Sequence, residues 1–202
     1  MGIDLLKAIT PSKYELKALP RKLMILQKNL IRYRYPFMFT RVEIDIYNAC
    51  NRKCPYCPNF IYKKTIHKMK DELFYSIIDQ LAEIGYKNEI TLHRYGEPLL
   101  DDRFEKFVRY ITKKCKKAWI NLHTNGDLMD YSKFKKLSEA GIAIFTITQH
   151  DITLSKNNLS IFNNATEKER EKIVFRMGAE IYKVNRGGLL KSVRSIDKSI
   201  SP

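Results

Sequence analysis

The segment that decides the fold and the chemistry of this chain is Asn48-Ala49-Cys50-Asn51-Arg52-Lys53-Cys54-Pro55-Tyr56-Cys57-Pro58, with the cysteine spacing C-x3-C-x2-C. Three thiols this close are better placed to share a metal than to form a disulfide framework. Thiolates are soft ligands that suit iron–sulfur clusters or zinc. Pro55 and Pro58 oppose the alternative that the cysteines form one face of an amphipathic helix, because proline breaks helical hydrogen bonding. The segment therefore predicts a metal-binding loop with one metal position left open.

Strand and helix patterns alternate around this loop. Strands are predicted at 42–46, 90–93, 118–122, 142–148 and 179–184, and helices at 71–84, 102–111, around Phe134 and Leu137, and at 166–177. The first of these helices is expected to end at Gly85, and its apolar stripe consists of Leu73, Ile77, Ile78, Leu81 and Ile84. A polar, asparagine-rich loop is expected between the fourth strand and the last helix. Such alternation predicts an α/β fold with a parallel sheet and right-handed crossovers. Ligands gather at the carboxyl ends of strands in such sheets, which is where the cysteine loop lies.

Length and composition favour one folded domain with an N-terminal extension. The chain has 202 residues, 44% of them apolar, with 12 Tyr and 10 Phe against 8 Gly and 7 Pro. Residues 1–40 are expected to form a basic helical extension, in which a helix starts near Pro20 and ends before Pro36. The catalytic or binding domain is expected at 41–202, with a divergent or shortened part from about residue 152.

The charge is strongly basic, because 37 Lys and Arg exceed 22 Asp and Glu and give a formal net charge of +15. Such a charge favours anionic partners, among them nucleic acids, phosphorylated small molecules, acidic peptides and membrane surfaces. A solvated basic surface without a specific partner is the alternative. The sequence starts without a secretory signal, and charges at Lys28, Arg32 and Arg34 interrupt the apolar stretch 23–39, so we predict a cytoplasmic protein without a membrane span.

The cysteine loop resembles the cluster motif of the radical S-adenosylmethionine (SAM) superfamily, in which the residue before the third cysteine is typically aromatic, as Tyr56 is here. Three later segments resemble the family in the expected order. They are Gly96-Glu97-Pro98, with Tyr95 in place of the family's first glycine, Thr124-Asn125-Gly126 after the third strand, and Thr148-Gln149-His150-Asp151 at the end of the fourth. The resemblance covers roughly residues 41–151.

The resemblance implies a partial (β/α)6 TIM-like barrel and a [4Fe–4S] cluster held by Cys50, Cys54 and Cys57, with SAM bound to the fourth iron. It implies reductive cleavage of SAM to a 5′-deoxyadenosyl radical that abstracts hydrogen from a substrate, which the charge suggests is anionic (a peptide, nucleotide or sugar phosphate). The electron would come from an external flavodoxin- or ferredoxin-like reductant. The cofactor-binding residues carried over are Tyr56, near the adenine, Glu97, facing the methionine ammonium, and Gly96, Pro98, Asn125 and Gln149.

The chain departs from the family after Asp151, because the family core has six strand–helix units, whereas five strands are readable here and residues 189–196 match a sixth only weakly. The turn Asn185-Arg186-Gly187-Gly188 resembles the region before the auxiliary-cluster (SPASM or twitch) domain, yet no cysteine follows Cys115. We therefore expect a single cluster and a barrel that is shortened at its C-terminus. A barrel of this kind would need a partner protein to complete the active site.

Two other functions are retained as alternatives. One is a non-catalytic or truncated cluster-binding protein, and the other is a zinc-stabilised nucleic-acid-binding module whose fourth zinc ligand is His67 or Cys115. Cys115 is otherwise interpreted as a semi-buried thiol. His93, His123 and His150 end strands at the expected cavity, where each is either a functional residue or a polar rim residue.

Overall fold

The structure is a computed structural model that describes residues 20–21, 23–28, 30–31, 39–54, 57–61, 65–150 and 155–177. It divides after Thr40 into two units, which are treated separately. In the first unit, residues 20–21, 23–28 and 30–31 are helical, where the sequence predicts the basic helix. The predictions for Tyr56, for a strand at 179–184 and for residues 189–196 lie outside the described residues.

The second unit is built on one sheet of five strands, all parallel and ordered as in the sequence. The strands are β1 (Arg41–Glu43), β2 (Glu89–Thr91), β3 (Trp119–Thr124), β4 (Ile142–Gln149) and β5 (Ile173–Met177). Each strand therefore pairs with the next one along the chain, as in a barrel wound in one direction. This confirms the predicted α/β class with a parallel sheet.

The helices between the strands are α1 (Pro58–Ile61), α2 (Asp71–Glu83), α3 (Phe104–Lys114), α4 (Tyr131–Ala140), α5 (Lys156–Asn164) and α6 (Glu167–Arg170), with a 3₁₀ turn at Pro98–Leu100. Helix α2 buries Phe74, Ile78 and Leu81, whereas Leu73 and Ile84, which the sequence predicts on the apolar stripe, are about half exposed. The buried face of α2 therefore includes Phe74 in place of Leu73, because the Phe74 ring stacks on Phe107 of α3, with ring centroids 3.9 Å apart.

Two predictions after β4 are wrong. The asparagine-rich segment predicted as a loop contains helix α5, and the helix predicted at 166–177 is only the single turn α6 followed by strand β5. The Thr166 and Glu169 capping box starts a helix as its sequence suggests, but residues 173–177 pair with β4 along their whole length. Tertiary pairing of a β-branched and aromatic run overrides the local helical pattern.

The two faces of the sheet differ in chemistry. Phe145 packs on Phe134 of α4, with centroids 4.6 Å apart, so one face of β4 is covered by helices. The opposite face is polar: the Asn121 amide donates to Glu89 at 2.9 Å, and the Thr146 hydroxyl donates to the Asn121 carbonyl oxygen at 3.0 Å. No helix in the described part of the chain is long and apolar enough to cross a membrane.

Candidate functional site

A cavity of about 240 Å³ opens at the carboxyl ends of the strands, beside the cysteine loop. The residues that line it come from the cysteine loop and from the ends of β2, β3, β4 and β5 or the loops that follow them. They are Cys50, Arg52, Cys54, Cys57, His93, Arg94, Tyr95, Gly96, Glu97, His123, Thr124, Asn125, Thr148, His150 and Arg176. Parallel strands bring these ends together although the residues span 127 positions from first to last, 50 to 176.

All three cysteines of the motif line this cavity and are partly buried. Burial raises the pKa of the Cys50 thiol, an effect that the Arg52 backbone N–H, donating to Sγ at 3.4 Å, partly offsets. Among the described residues, no three His, Cys, Asp or Glu side chains converge to hold a single metal ion. A four-iron cluster needs no such convergence, since each thiolate binds a different iron, and three soft thiolates on one cavity wall fit its requirements.

Gly96 is fixed by the close approach of the cysteine loop. A Cβ atom at this position would lie 1.9 Å from the carbonyl oxygen of Tyr47. The next backbone N–H, that of Glu97, donates to the Ala49 carbonyl at 2.7 Å. The loop after β2 therefore packs directly on the residues that lead into Cys50, and only glycine permits this contact.

Glu97 is almost completely buried, and its carboxylate accepts three hydrogen bonds from the protein. Oε1 accepts from the Thr124 hydroxyl at 2.7 Å and from the Leu99 N–H at 3.2 Å, and Oε2 accepts from the Asn125 N–H at 2.9 Å. Burial raises the pKa of Glu97 although these hydrogen bonds lower it. The carboxylate thus joins the loop after β2 to the loop after β3, at the edge of the cavity.

Three residues that the sequence did not single out join the cysteine loop to the loop after β3. Arg52 donates to both carboxylate oxygens of Asp127 at 2.6 Å, and the Asn51 amide donates to the same carboxylate at 2.9 Å. Asn125 completes the network: its amide donates to Asn51 at 2.8 Å, and its carbonyl oxygen accepts from the Asp127 N–H at 2.9 Å. We call Asn51, Arg52, Asn125 and Asp127 the loop clamp. The only feature of the sequence that pointed to the loop clamp is the position of polar residues directly after Cys50.

The end of β4 presents Thr148 and His150 to the cavity, and Gln149 is not among the lining residues. Gln149 is buried, and its carbonyl oxygen accepts from the Asn158 amide of α5 at 2.8 Å. This follows from strand geometry, because successive side chains point to opposite faces. His150 instead approaches the Cys54 Sγ, with Nδ1 at 3.8 Å.

Of the other predicted site residues, Pro98 is buried at the start of the 3₁₀ turn and does not line the cavity, and Tyr56 lies outside the described residues. His67 and Cys115, the alternative zinc ligands, are also absent from the lining. Cys115 is buried behind α2, where its thiol donates to the Ile78 carbonyl at 3.6 Å. The sequence predicted a semi-buried thiol, and Cys115 is buried more completely than that.

His93 and His123 stack on each other at the ends of β2 and β3, with ring centroids 5.6 Å apart. The Nε2 atom of His123 is buried without a hydrogen-bond partner among the described residues and lies 3.7 Å from Glu89 Oε1. Burial lowers the pKa of His123, and the positive charges of Arg176 and Arg41 lower it further. Arg176 of β5 was missed in the sequence because its segment was predicted as a helix.

Known proteins are similar to this chain in sequence and in fold. The family model for the Radical SAM superfamily matches residues 44–180. The S-adenosyl-L-methionine-dependent 2-deoxy-scyllo-inosamine dehydrogenase of Niallia circulans is 31% identical over 163 residues, which are 80% of this chain and 65% of that protein. A GTP 3',8-cyclase of Aquifex aeolicus is 26% identical over 67% of this chain and 42% of its own length.

Among solved structures, the crystal structure of BtrN in complex with AdoMet and 2-DOIA has a TM-score of 0.71 and 31% identity, over 76% of this chain and 62% of that one. The chain thus spans less than two thirds of the length of these relatives. The superfamily uses a [4Fe–4S] cluster and SAM, and cleavage of SAM to a radical is its general reaction. The dehydrogenase and the cyclase named above are enzymes. With most of its length matched by the family model, this chain belongs to the Radical SAM superfamily.

Proposed function

We propose that this chain is a radical SAM enzyme that binds one [4Fe–4S] cluster through Cys50, Cys54 and Cys57 and acts on an anionic substrate. The observation that carries the proposal is the shared cavity: the three thiols and the Gly96-Glu97 loop line it together in a chain that matches the family over residues 44–180. When bound, the cluster supplies the electron that cleaves SAM to the 5′-deoxyadenosyl radical, which abstracts hydrogen from the substrate.

The chain's own residues would prepare the site for this chemistry. The loop clamp holds the cysteine loop against the loop after β3, and Glu97 holds the loops after β2 and β3 together. The carboxylate of Glu97 is already engaged by three donors, which favours a role in positioning Gly96 and Asn125 over direct charge pairing with the methionine ammonium. Gly96 and Asn125 remain candidates to contact SAM because both line the cavity.

The charge of the cavity supports an anionic substrate. Its lining contains Arg176, which has no carboxylate partner among the described residues, and three histidines, against the single carboxylate of Glu97. The other two arginines of the lining, Arg52 and Arg94, are paired with Asp127 and Glu43 and add donors more than net charge. A cavity with this excess of cationic and donor groups concentrates anions. The Niallia circulans relative is named as a dehydrogenase, so we propose two-electron oxidation of the substrate. The substrate would give one hydrogen atom to the 5′-deoxyadenosyl radical and then lose one proton and one electron, and the external one-electron carrier protein that supplies the electron for SAM cleavage would take this electron back.

The experiment is anaerobic reconstitution of the full chain with iron and sulfide, followed by metal and sulfide analysis, by spectroscopy with and without SAM, and by measurement of 5′-deoxyadenosine under dithionite. We expect absorbance near about 400 nm from thiolate-to-iron charge transfer, a spectral change on addition of SAM, and 5′-deoxyadenosine as product. A chain that binds the cluster but makes no 5′-deoxyadenosine would support the non-catalytic alternative. One zinc and no iron absorbance would support the zinc-stabilised module.

Two cysteine variants make this experiment specific. Cys54→Ala removes a thiol of the cavity and should abolish retention of the cluster. Cys115→Ala, the matched control, removes a buried thiol that does not line the cavity, and its iron content should equal that of the native chain. A Cys54→Ala protein that still binds a full cluster and cleaves SAM would contradict the assignment.

A further inference from the structure

The charged groups on the polar face of the sheet and in the loops beside it are mostly arranged in pairs. Arg41 binds Glu89 at 2.8 Å, Arg52 binds Asp127 at 2.6 Å, and Arg94 binds Glu43. Each of these arginines therefore has its charge matched by a carboxylate of the protein. Glu89 also accepts from Asn121, so the acid nearest to the stacked histidines is engaged from two sides.

Arg176 differs from these three arginines. It lies on β5 opposite Thr148 of β4, lines the cavity and is exposed, and it has no hydrogen-bond or ion-pair partner among the residues that the structure describes. An arginine whose charge is unmatched at the wall of a cavity presents up to five N–H donors in a planar fork, the geometry that suits carboxylate and phosphate groups.

His123 provides a second, independent group in the same cavity. Its Nε2 atom is buried and makes no hydrogen bond to the described residues; it lies 3.7 Å from Glu89 Oε1, an oxygen that already accepts from the Asn121 amide. Stacking on His93 holds the ring in place. A buried ring nitrogen without a partner is costly unless a ligand or water completes it, and in the neutral ring one nitrogen carries a donor N–H.

We propose that Arg176 and His123 form a subsite for an oxyanion group of the substrate, a phosphate or a carboxylate. The Arg176 fork would supply charge-assisted hydrogen bonds and His123 one further hydrogen bond, with the His93 ring as a rigid support. The inference rests on the proposed function only in calling the ligand a substrate. It narrows the anionic substrate to one whose charged group lies near the ends of β3 and β5.

The test uses the full chain and two simple probes, inorganic phosphate and acetate, with binding followed by calorimetry and by the imidazole NMR signals. The chain has 4 His, and the signal lost in His123→Gln assigns that of His123. We expect saturable binding at millimolar concentration, a shift of the His123 signal, and binding weakened by about tenfold or more in Arg176→Gln. Stronger binding of phosphate or of acetate tells which group the substrate carries.

Two variants separate this subsite from the general basic charge. Arg176→Lys keeps the charge without the fork and should bind with intermediate affinity. Lys117→Gln removes one exposed positive charge elsewhere on the chain and should bind phosphate as the native chain does. Equal binding by the native chain, Arg176→Gln and Lys117→Gln, or no saturable binding by the native chain, would overturn the proposal.

SAM itself carries a carboxylate, so competition decides which ligand the subsite serves. We expect phosphate affinity to be unchanged when the iron-loaded chain is saturated with SAM. Competitive displacement of phosphate by SAM would assign Arg176 to the SAM site and overturn the substrate subsite. The two proposals can fail separately. If the native chain makes no 5′-deoxyadenosine, the proposed function is contradicted. Phosphate binding that depends on Arg176 does not require that reaction and would still support the subsite.

Discussion

Gly96 owes its identity to the space that its missing side chain leaves for the cysteine loop. The Tyr47 carbonyl oxygen occupies the place of a Cβ atom at a distance of 1.9 Å, and the neighbouring Glu97 N–H binds the Ala49 carbonyl. The obstacle is backbone and not a flexible side-chain end, so it cannot rotate away. The glycine therefore couples the loop after β2 to the cysteine motif.

Gly96→Ala should destabilise the chain by more than about 3 kcal/mol, because the backbone must move to admit the methyl group. The control is Gly85→Ala: Gly85 has φ 62° and open space around its Cβ position, so the cost there is backbone strain alone, roughly 1–2 kcal/mol. Urea unfolding measures both variants. Equal losses of unfolding free energy in the two proteins would contradict the close-approach argument.

The burial of Glu97 should make the unfolding free energy of the chain depend on pH. Its pKa is raised in the folded state above the ordinary value of 4.5, so its favourable contribution is fully present below that pH and is lost as the pH rises through the folded pKa. Glu97→Gln removes this titration. We expect the unfolding free energy of the native chain, minus that of Glu97→Gln, to fall as the pH rises from about 4 to 7.

Urea unfolding at several pH values measures this difference, and Glu139→Gln, whose carboxylate lies on α4 away from the cavity lining, is the control. Only the part of the change that exceeds the change seen with Glu139→Gln is assigned to Glu97. A native-minus-variant difference for Glu97 that rises with pH would show that the three hydrogen bonds outweigh burial and that the carboxylate is stabilised in its charged form.

At the scale of elements, the loop clamp is the contact between the cysteine loop and the loop after β3. Arg52 and Asp127 are both about one fifth exposed, and their bidentate geometry is the strongest form of an arginine–carboxylate pair. The loop clamp acts between elements that are distant in sequence, residues 51–52 and 125–127. It therefore positions the thiols through tertiary structure and not through the local spacing of the motif.

Arg52→Gln and Asp127→Asn should each lower the iron retained after reconstitution, and a double-mutant cycle should give a coupling energy of about 1–2 kcal/mol in unfolding. The matched control is the surface pair of Lys68 and Asp102, 2.6 Å apart, in which Asp102 is mostly exposed and solvent screening should make the coupling weaker than that of Arg52 and Asp127. Additive effects of Arg52→Gln and Asp127→Asn on stability and iron content would show that the pair does not act as a unit.

At the scale of the whole molecule, the net charge of +15 has a consequence for stability. Repulsion between like charges destabilises the compact state, and salt screens it with a Debye length of about 10 Å at 0.1 M. We expect the melting temperature to rise between low salt and about 0.5 M potassium chloride. An equal osmolarity of a neutral solute is the control, and a melting temperature that falls with salt would show that the surface ion pairs dominate.

Part of the fold and of the site could be predicted because its signals are local. The cysteine spacing with its prolines, the alternation of strand and helix patterns, and the stop at Gly85, whose φ is 62°, each depend on residues close together in the sequence. They were sufficient for the parallel sheet and for a cavity containing Cys50, Gly96, Glu97 and Asn125. Helix α5 was not predicted, because one of its buried residues, Asn158, is polar and does not contribute to an apolar helical pattern.

What the sequence by itself determined is the family, the order of the elements as far as β4 and the three cysteines proposed as cluster ligands, because these depend on residue type and spacing. Tertiary structure alone decided that residues 173–177 form strand β5, that Gln149 faces α5, and that Asp127 pairs with Arg52. Each of these depends on a partner far along the chain, and the energy of such pairing has no trace in a local pattern. Arg176 reached the cavity for the same reason, through the register of β5 against β4.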